Sequence, residues 1–404
     1  MMAPLPLTRR EALASWKVFL PRVKEYAAQR NQVEAGHENV SRLSPALRHR
    51  LLLEDEVIRD TLEQHSFRTA EKWLQEVCWR RYWKGWLEMR PPVWTSWRQR
   101  VRERDQIWSP EVLDKANAVA AGKSGVACMD ALARELIETG YLHNHARMWW
   151  ASFWIHAEHL PWELGADFFY RQLLDADPAS NTLSWRWVAG LQTQGKTYLV
   201  RRSNLEKYAP ALLHDEHGSD RIADGALTAS VQEEFADTSK RALPVYGATL
   251  TASEFRRGLW LHHDDLAPEI GPLTSFAPVA AAALSTDREE ENLSGNRIAA
   301  LRTVVADGLA RTSAHFHCPG TLIECDDPWS GLVAWAQSHK LAEVVAFAPM
   351  VGPINERVPR FGTQLAENGI RLTLLQRSSD AFAFSLAGAG FFPFWARMSQ
   401  HLST

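Results

Sequence analysis

Cysteine is scarce. The chain has four in 404 residues, Cys78, Cys128, Cys318 and Cys325, widely scattered and never in a CxxC pair. That spacing gives no support to a zinc or iron–sulfur site and fits reduced thiols in a cytosolic protein. Long apolar runs are missing too: the longest nearly apolar stretch, Leu273 to Leu284, is far short of a bilayer span. The opening residues, Met1 to Arg10, lack the apolar core of a signal peptide. Neither charge sign dominates, since 45 Lys+Arg face 48 Asp+Glu for a net charge of −3. No global basic excess therefore announces a nucleic acid. Together these absences predict a soluble, cytoplasmic protein with no membrane partner. An apolar share of 46% and a charged share of 23% exclude a disordered or collagen-like chain, and the length suits two or three domains.

What is abundant is tryptophan, 18 in all, and it is unevenly placed. Residues 1–213 hold 14 of them with 30 Lys+Arg against 25 Asp+Glu, while residues 214–404 hold 4 with 15 against 23. A mildly basic, Trp-rich half is thus joined to an acidic one, which suggests separate roles. The first half reads as helices: from Ser66 the positions Trp73, Val77, Arg80 and Lys84 recur at three and four residues. Asp130 to Ile137 and Asn144 to His159 repeat the pattern, split by Thr139-Gly140. In the second half, short β-rich runs (Leu259–His262, Ala277–Leu284, Thr321–Ile323, Val344–Phe347 and Ile370–Leu375) alternate with helical stretches near 293–312, 329–340 and 355–368. That alternation predicts a parallel α/β sheet of Rossmann type. The expected organisation is an all-α domain over 1–212, a linker over 213–254 and an α/β domain over 255–404.

Several motifs carry less than they promise. His143-Asn144-His145 suggests an HNH nuclease, but that motif needs a ββα metal fold and here it opens a helix. His262-His263-Asp264-Asp265 follows a strand and reads as a solvated loop rather than a metal site. Gly388-Ala389-Gly390 lacks the third glycine and the following βαβ unit of a dinucleotide fingerprint. His156 and His159 lie one turn apart without a third ligand and read as surface histidines. No metal is expected.

From Gly122 to Trp187 the residues become specific. Gly122-Lys123-Ser124-Gly125, Asp130-Ala131 and Leu136 to Met148 (LIETGYLHNHARM) resemble the FAD-binding domain of the DNA photolyase/cryptochrome family. So does Leu173 to Asn181 (LLDADPASN), with Trp185 and Trp187 following. Upstream, Trp73 to Arg80 (WLQEVCWR) is similar to the family's W-x-x-E-x-x-W-R helix. Ser41-Arg42-Leu43-Ser44-Pro45 is similar to its phosphate-binding segment. The resemblance implies FAD, with Tyr26 near the adenine nucleotide and with Ser41, Arg42, Leu43 and Ser44 at the pyrophosphate. Trp73, Arg80, Asn144, Asp177 and Trp185 join that cofactor set. Hydroxyls and backbone N–H groups at a helix start suit a pyrophosphate. Arg147 and Asp175 can pair across the flavin, and Asn181 stands by its N5.

The same resemblance implies roles for the aromatics. Trp185 and Trp162 match the inner two positions of a three-Trp electron path to excited flavin, whereas the outer position falls near Val119. Trp108, Trp149, Trp150 and Trp154 are candidates for a detour. Trp79 and Trp187 match the walls around a flipped-out pyrimidine dimer. Glu76 matches the acid that stabilises its radical anion. Asn144 and Met148 stand where enzymes acting on 6-4 photoproducts carry histidines, which points to cyclobutane dimers, and His145 replaces an arginine near DNA. Gly258 to Leu266 looks like the family's opening strand, Asn355-Glu356-Arg357 like its folate-holding segment, and Phe391 to Trp395 like the end of its antenna domain. The order implies circular permutation. The function implied is blue-light repair of cyclobutane pyrimidine dimers in DNA by reduced FAD, with a folate or other antenna chromophore. The alternative is a cryptochrome-like photoreceptor acting on a signalling partner.

Overall fold

The computed structural model describes residues 4–193, 197–250, 254–284 and 292–403. The chain forms two compact units, each assembled from separated stretches. One comprises residues 5–24, 43–89 and 240–404, the other Pro4, 25–42 and 90–239. This division departs from the expected boundaries at 212 and 255. Residues 5–24 and 43–89 group with the sheet, and much of the expected linker groups with the helices; linker residues 251–253 lie outside the described residues. The latter grouping has a physical cause. Arg186 Nη1 donates to Glu234 Oε1 at 2.9 Å, Arg221 pairs with Glu158, and Ile222 is fully buried.

In the α/β unit, β1 (Arg257–Leu261), β2 (Ala280–Leu284), β3 (Gly320–Ile323), β4 (Glu343–Phe347) and β5 (Arg371–Leu375) form one sheet. Its order is β3-β2-β1-β4-β5 and every pairing is parallel, as the alternating pattern predicts. Crossover helices Gly295–Phe316, Pro328–Ser338 and Pro353–Glu367 connect the strands. Ser294 and Asp327 cap the first two by accepting from Arg297 N and Ser330 N. Helices on both faces bury the central strands, so Ala280 to Ala283 are all at 0% exposure, and small side chains are what that sandwich admits; the edge strands β3 and β5 stay partly open. One face is filled by Trp260 with Trp329 and Phe361, ring centroids 5.6 and 5.1 Å away.

The strand order reverses between β1 and β4, the place where α/β sheets usually leave a ligand crevice. Here the protein fills it with charge. Asp264 pairs with Arg48 at 2.8 Å; Asp265 receives both Arg50 and Arg377 at 2.7 Å, and Arg50 continues to Asp380 at 2.7 Å. His262 Nε2 lies 2.8 Å from Phe347 O, on the neighbouring strand. The expectation of a solvated His-His-Asp-Asp loop is therefore wrong: Asp264 is 6% and Asp265 4% exposed. Burial opposes ionisation of Asp265, but Arg377 and Arg50 outweigh it and hold the carboxyl well below the usual range.

The helical unit is built for close approach. The helix Ala127–Thr139 ends at Gly140, whose φ of 66° is left-handed; a Cβ there would stand 2.6 Å from Leu174. Leu174 N donates to Gly140 O at 2.9 Å, which pins the loop carrying Asp175. The helix expected from Asn144 to His159 is α-helical only to Ser152 and continues as a π-turn over Phe153–Ala157. That turn buries His156 to 1% exposure, against the expected surface position. His156 Nδ1 accepts from Ser230 N at 3.0 Å, so Nε2–H donates to Val188 O at 3.1 Å, and burial lowers its pKa.

Removing one partner of a buried ion network leaves uncompensated charge. Arg50→Ala should therefore lower unfolding stability by about 3–5 kcal/mol, read from urea denaturation followed by circular dichroism. A loss below about 1 kcal/mol would show that the network contributes little.

Candidate functional site

The helical unit brings together the core of the expected site. Arg147, on the helix Asn144–Ser152, donates from Nη2 to Asp175 Oδ2 at 2.9 Å and from Nε to Leu142 O at 2.9 Å. Both of its hydrogen bonds fix the guanidinium. Asp177 caps the helix Pro178–Val188 by accepting from Ser180 N at 2.9 Å. That helix presents Asn181, 7% exposed, whose Nδ2 donates to Ala166 O at 2.9 Å. One turn on, Trp185 packs against Gly165, where a Cβ would stand 2.3 Å from the indole. Only glycine admits that seat. Among the buried polar atoms of this unit without a hydrogen-bond partner are His143 Nε2 and Thr182 Oγ1. His143 Nδ1 accepts from His145 N at 3.1 Å, so the proton sits on Nε2; burial pushes its pKa down to about 3.

The remaining expected residues of this unit are more open. Asn144 is exposed at the first turn, Met148 and Trp187 are half-buried, and Trp187 stacks on Tyr198 at 5.8 Å. His145 is turned inward: Nδ1 lies 2.9 Å from Asn31 O, its ring is 4.4 Å from Trp149, and burial lowers its pKa. Tyr26 and Ser41 are half-buried, and Arg42, in a left-handed conformation at φ 54°, donates to Gly36 O at 3.1 Å.

The α/β unit carries the other group. Ser44 opens the short helix Ser44–Arg48 after the buried Leu43, so neither Ser41 nor Ser44 occupies its N-cap. The helix Phe67–Glu88 holds Trp73, Glu76, Trp79 and Arg80. Trp73 is core: its indole stacks on Trp16 at 5.7 Å and donates to Thr61 Oγ1 at 3.2 Å. Glu76 and Arg80 are half-buried. Trp79 has one face covered, because Phe391 lies 3.6 Å away and only 8° from parallel. Nothing in the local sequence of either residue announces that stack. Asn355 is the third residue of the helix Pro353–Glu367, capped by Gly352, and its Nδ2 donates to Pro349 O at 3.0 Å; Glu356 follows. Pro349 also lines a small cleft at the carboxyl ends of β4 and β5, with Arg50, Glu88, Tyr246 and Gln376. Burial raises Glu88 to about 7, despite the hydrogen bond it accepts from Val351 N. Among the described residues, no group of three or more His, Cys, Asp or Glu is placed to hold a metal, and no helix is long and apolar enough to cross a membrane.

Residues 73–218 match the profile of the FAD binding domain of DNA photolyase. Curated relatives include the deoxyribodipyrimidine photo-lyases of Streptomyces griseus, 31% identical over 45% of this chain and 43% of that protein, and of Thermus thermophilus, 35% identical over 48% and 46%. The chain thus spans less than half the length of these relatives. A solved class III photolyase from Agrobacterium tumefaciens is 26% identical, covering 50% of this chain and 43% of that one at a TM-score of 0.43. A Synechocystis cryptochrome is 21% identical, with 55% and 49% covered at 0.41. The donor set of the helical unit fits a flavin: a fixed Arg–carboxylate pair, a buried neutral amide, an indole, and two buried polar atoms without partners.

The Trp79 stack is directly testable. Phe391→Ala should increase acrylamide quenching of tryptophan emission, and the increase should vanish in a Trp79→Phe background. Equal quenching with and without Phe391 contradicts the stacking.

Proposed function

We propose, on the premise that residues 73–218 form a photolyase-type FAD-binding domain, that this chain is a light-driven carbon–carbon lyase acting on cyclobutane pyrimidine dimers in DNA. The observation that carries the reading is the Arg147–Asp175 pair with the buried Asn181, inside the matched segment. When bound, reduced FAD would supply the light-driven electron-transfer chemistry for opening the cyclobutane ring. The residues of this chain hold, orient and stabilise. Within the helical unit Ser41 and Arg42 serve the pyrophosphate and Tyr26 the adenine nucleotide; Ser44 and Arg80, in the α/β unit, are the other cofactor residues of this reading. Arg147, held by two hydrogen bonds, sets a charge of fixed position beside the isoalloxazine. Asn181, anchored through its Nδ2, offers a neutral amide that suits both redox states.

On the substrate, negative charge develops at the C4 carbonyl oxygens of the dimer radical anion. A preorganised hydrogen-bond donor there lowers the barrier, and this reading gives that role to the Glu76 carboxyl group. Asn144, Met148 and Trp187 in the helical unit, and Trp79 in the α/β unit, are the other residues this reading gives to the substrate, with the aromatic rings replacing lost stacking. The sheet and its helices over 255–404 serve as the antenna domain, placed after the FAD domain by circular permutation. Asn355 and Glu356, at the carboxyl edge of β4, hold a reduced folate there. Binding of a reduced folate, with near-ultraviolet sensitisation that Asn355→Ala abolishes, is the expected outcome; failure to bind removes the antenna role.

A second reading is favoured by one observation, the covering of Trp79 by Phe391. A ring already stacked on one face suits a cryptochrome-like photoreceptor that answers to a signalling partner and does not repair. Repair decides between them. Fully reduced protein under blue light should restore thymine absorbance in a dimer-containing oligonucleotide. Glu76→Ala should lower the yield several-fold, about 1–3 kcal/mol for one buried hydrogen bond. No restoration with reduced FAD bound would sink the lyase reading and promote the photoreceptor.

A further inference from the structure

The loop leading to Ser41 and Arg42 is held in a backbone conformation that its residues resist. His37 and Arg42 stand at φ 53° and 54°, in the left-handed region that favours glycine. Residues with side chains persist there only where their surroundings over-determine them, a feature of ligand clamps. Two buried side chains do so here. Asn39, 5% exposed, reaches back along the chain, its Nδ2 donating to Gln29 O at 2.9 Å and to Gln32 O at 2.8 Å. His37, 3% exposed, reaches across to the helix Ala127–Thr139, where its Nε2 lies 2.6 Å from Glu135 Oε1.

That bond is the polar anchor of the ring. A carboxylate only accepts, so Nε2 carries a proton and donates it. The other ring nitrogen, Nδ1, is buried without a hydrogen-bond partner. Around it stand the rings of Tyr141 and His143, with centroids 5.4 and 5.7 Å from that of His37. His143 gives it nothing, since Nδ1 of that residue accepts from His145 N and its Nε2 is itself unpartnered. Loss of Glu135 would therefore leave both His37 nitrogens unpaired in the interior, where an unmade hydrogen bond is costly. The ring would then have to leave, and the strained loop would lose its long-range tie.

The residues assigned to the isoalloxazine do not share this dependence. Arg147, Asp175 and Asn181 are fixed by Leu142 O, by the bond from Leu174 N to Gly140 O and by Ala166 O. Resting on the reading above, in which Ser41 and Arg42 serve the FAD pyrophosphate, we infer that His37 and Glu135 are positioning residues that set the affinity for the phosphate end of the cofactor. They act through the loop. Held in its left-handed turns before binding, it need not be ordered by the ligand, and affinity gains accordingly.

Titration of the full chain, stripped of flavin, with FAD and with riboflavin tests the assignment, because riboflavin lacks the phosphates and the adenine nucleotide. Circular dichroism checks the folding of each variant. Glu135→Leu should weaken FAD binding at least tenfold and riboflavin binding less than twofold. Glu135→Gln, which keeps an acceptor for the His37 Nε2–H, should recover most of the FAD affinity. His37→Gly relieves the backbone but removes the ring; it should match Glu135→Leu, and the two changes together should cost little more than either alone. FAD affinity within twofold of wild type in Glu135→Leu or His37→Gly, or equal losses for FAD and riboflavin, overturns the positioning role. Wild type that holds FAD no more tightly than riboflavin instead overturns the assignment of Ser41 and Arg42 to the phosphates, and the inference falls with it.

Discussion

Arg50 sits at the centre of the interaction on which the α/β unit depends. Its guanidinium joins Asp265, in the loop after β1, to Asp380 near the chain's end, while Arg377 closes the other side of Asp265. Charges this deeply buried are tolerable only when every partner is in place. The loop after β1, the segment 43–53 and the start of the helix Ser378–Leu386 must therefore assemble together. The network also occupies the point where strand order reverses, so the crevice that α/β folds commonly offer to a ligand is narrowed by the protein's own side chains to the small cleft lined by Arg50 and Pro349. A further result is that the helix Phe67–Glu88, with Glu76, Trp79 and Arg80, belongs to the sheet's unit.

The helical unit obeys a different constraint, close approach without a side chain. Gly140 lets the end of one helix meet the loop bearing Asp175, and Gly165 lets the Trp185 ring lie against a helix backbone. With those two contacts made, Arg147, Asp175, Asn181 and Trp185 are each positioned by groups outside the site itself: Leu142 O, Gly140 O, Ala166 O and Gly165. Rigid support of this kind is what a redox cofactor site needs from its protein.

Elements written in local pattern were legible in the sequence. All five strands fall where β-rich runs alternate with helical stretches, and the profile of the FAD binding domain covers Trp73–Arg80 and Gly122–Trp187, two of the segments whose motifs resemble that family. What escaped was set by partners far along the chain. His262 to Asp265 look like a solvated loop until Arg48, Arg50 and Arg377 are brought to them. His156 looks like a surface residue on a regular helix, but a π-turn rotates it inward. Trp79 carries no sign of Phe391, and Trp97 none of Trp162, because stacking leaves no periodic trace. The grouping of residues 43–89 with the sheet is hidden for the same reason: it follows the packing of the helix Phe67–Glu88 on the helices Ser378–Leu386 and Phe391–Leu402, whereas composition reports only that the segment is helical and tryptophan-rich.

The central claim is that the helical unit is built around FAD. Its most direct test is the absorption spectrum of the purified protein, followed by identification of any pigment released on denaturation. Flavin bands, with FAD released in stoichiometric amount and lost in an Asp175→Ala variant that still folds, are the expected result. A colourless protein that stays colourless after reconstitution with FAD contradicts the account.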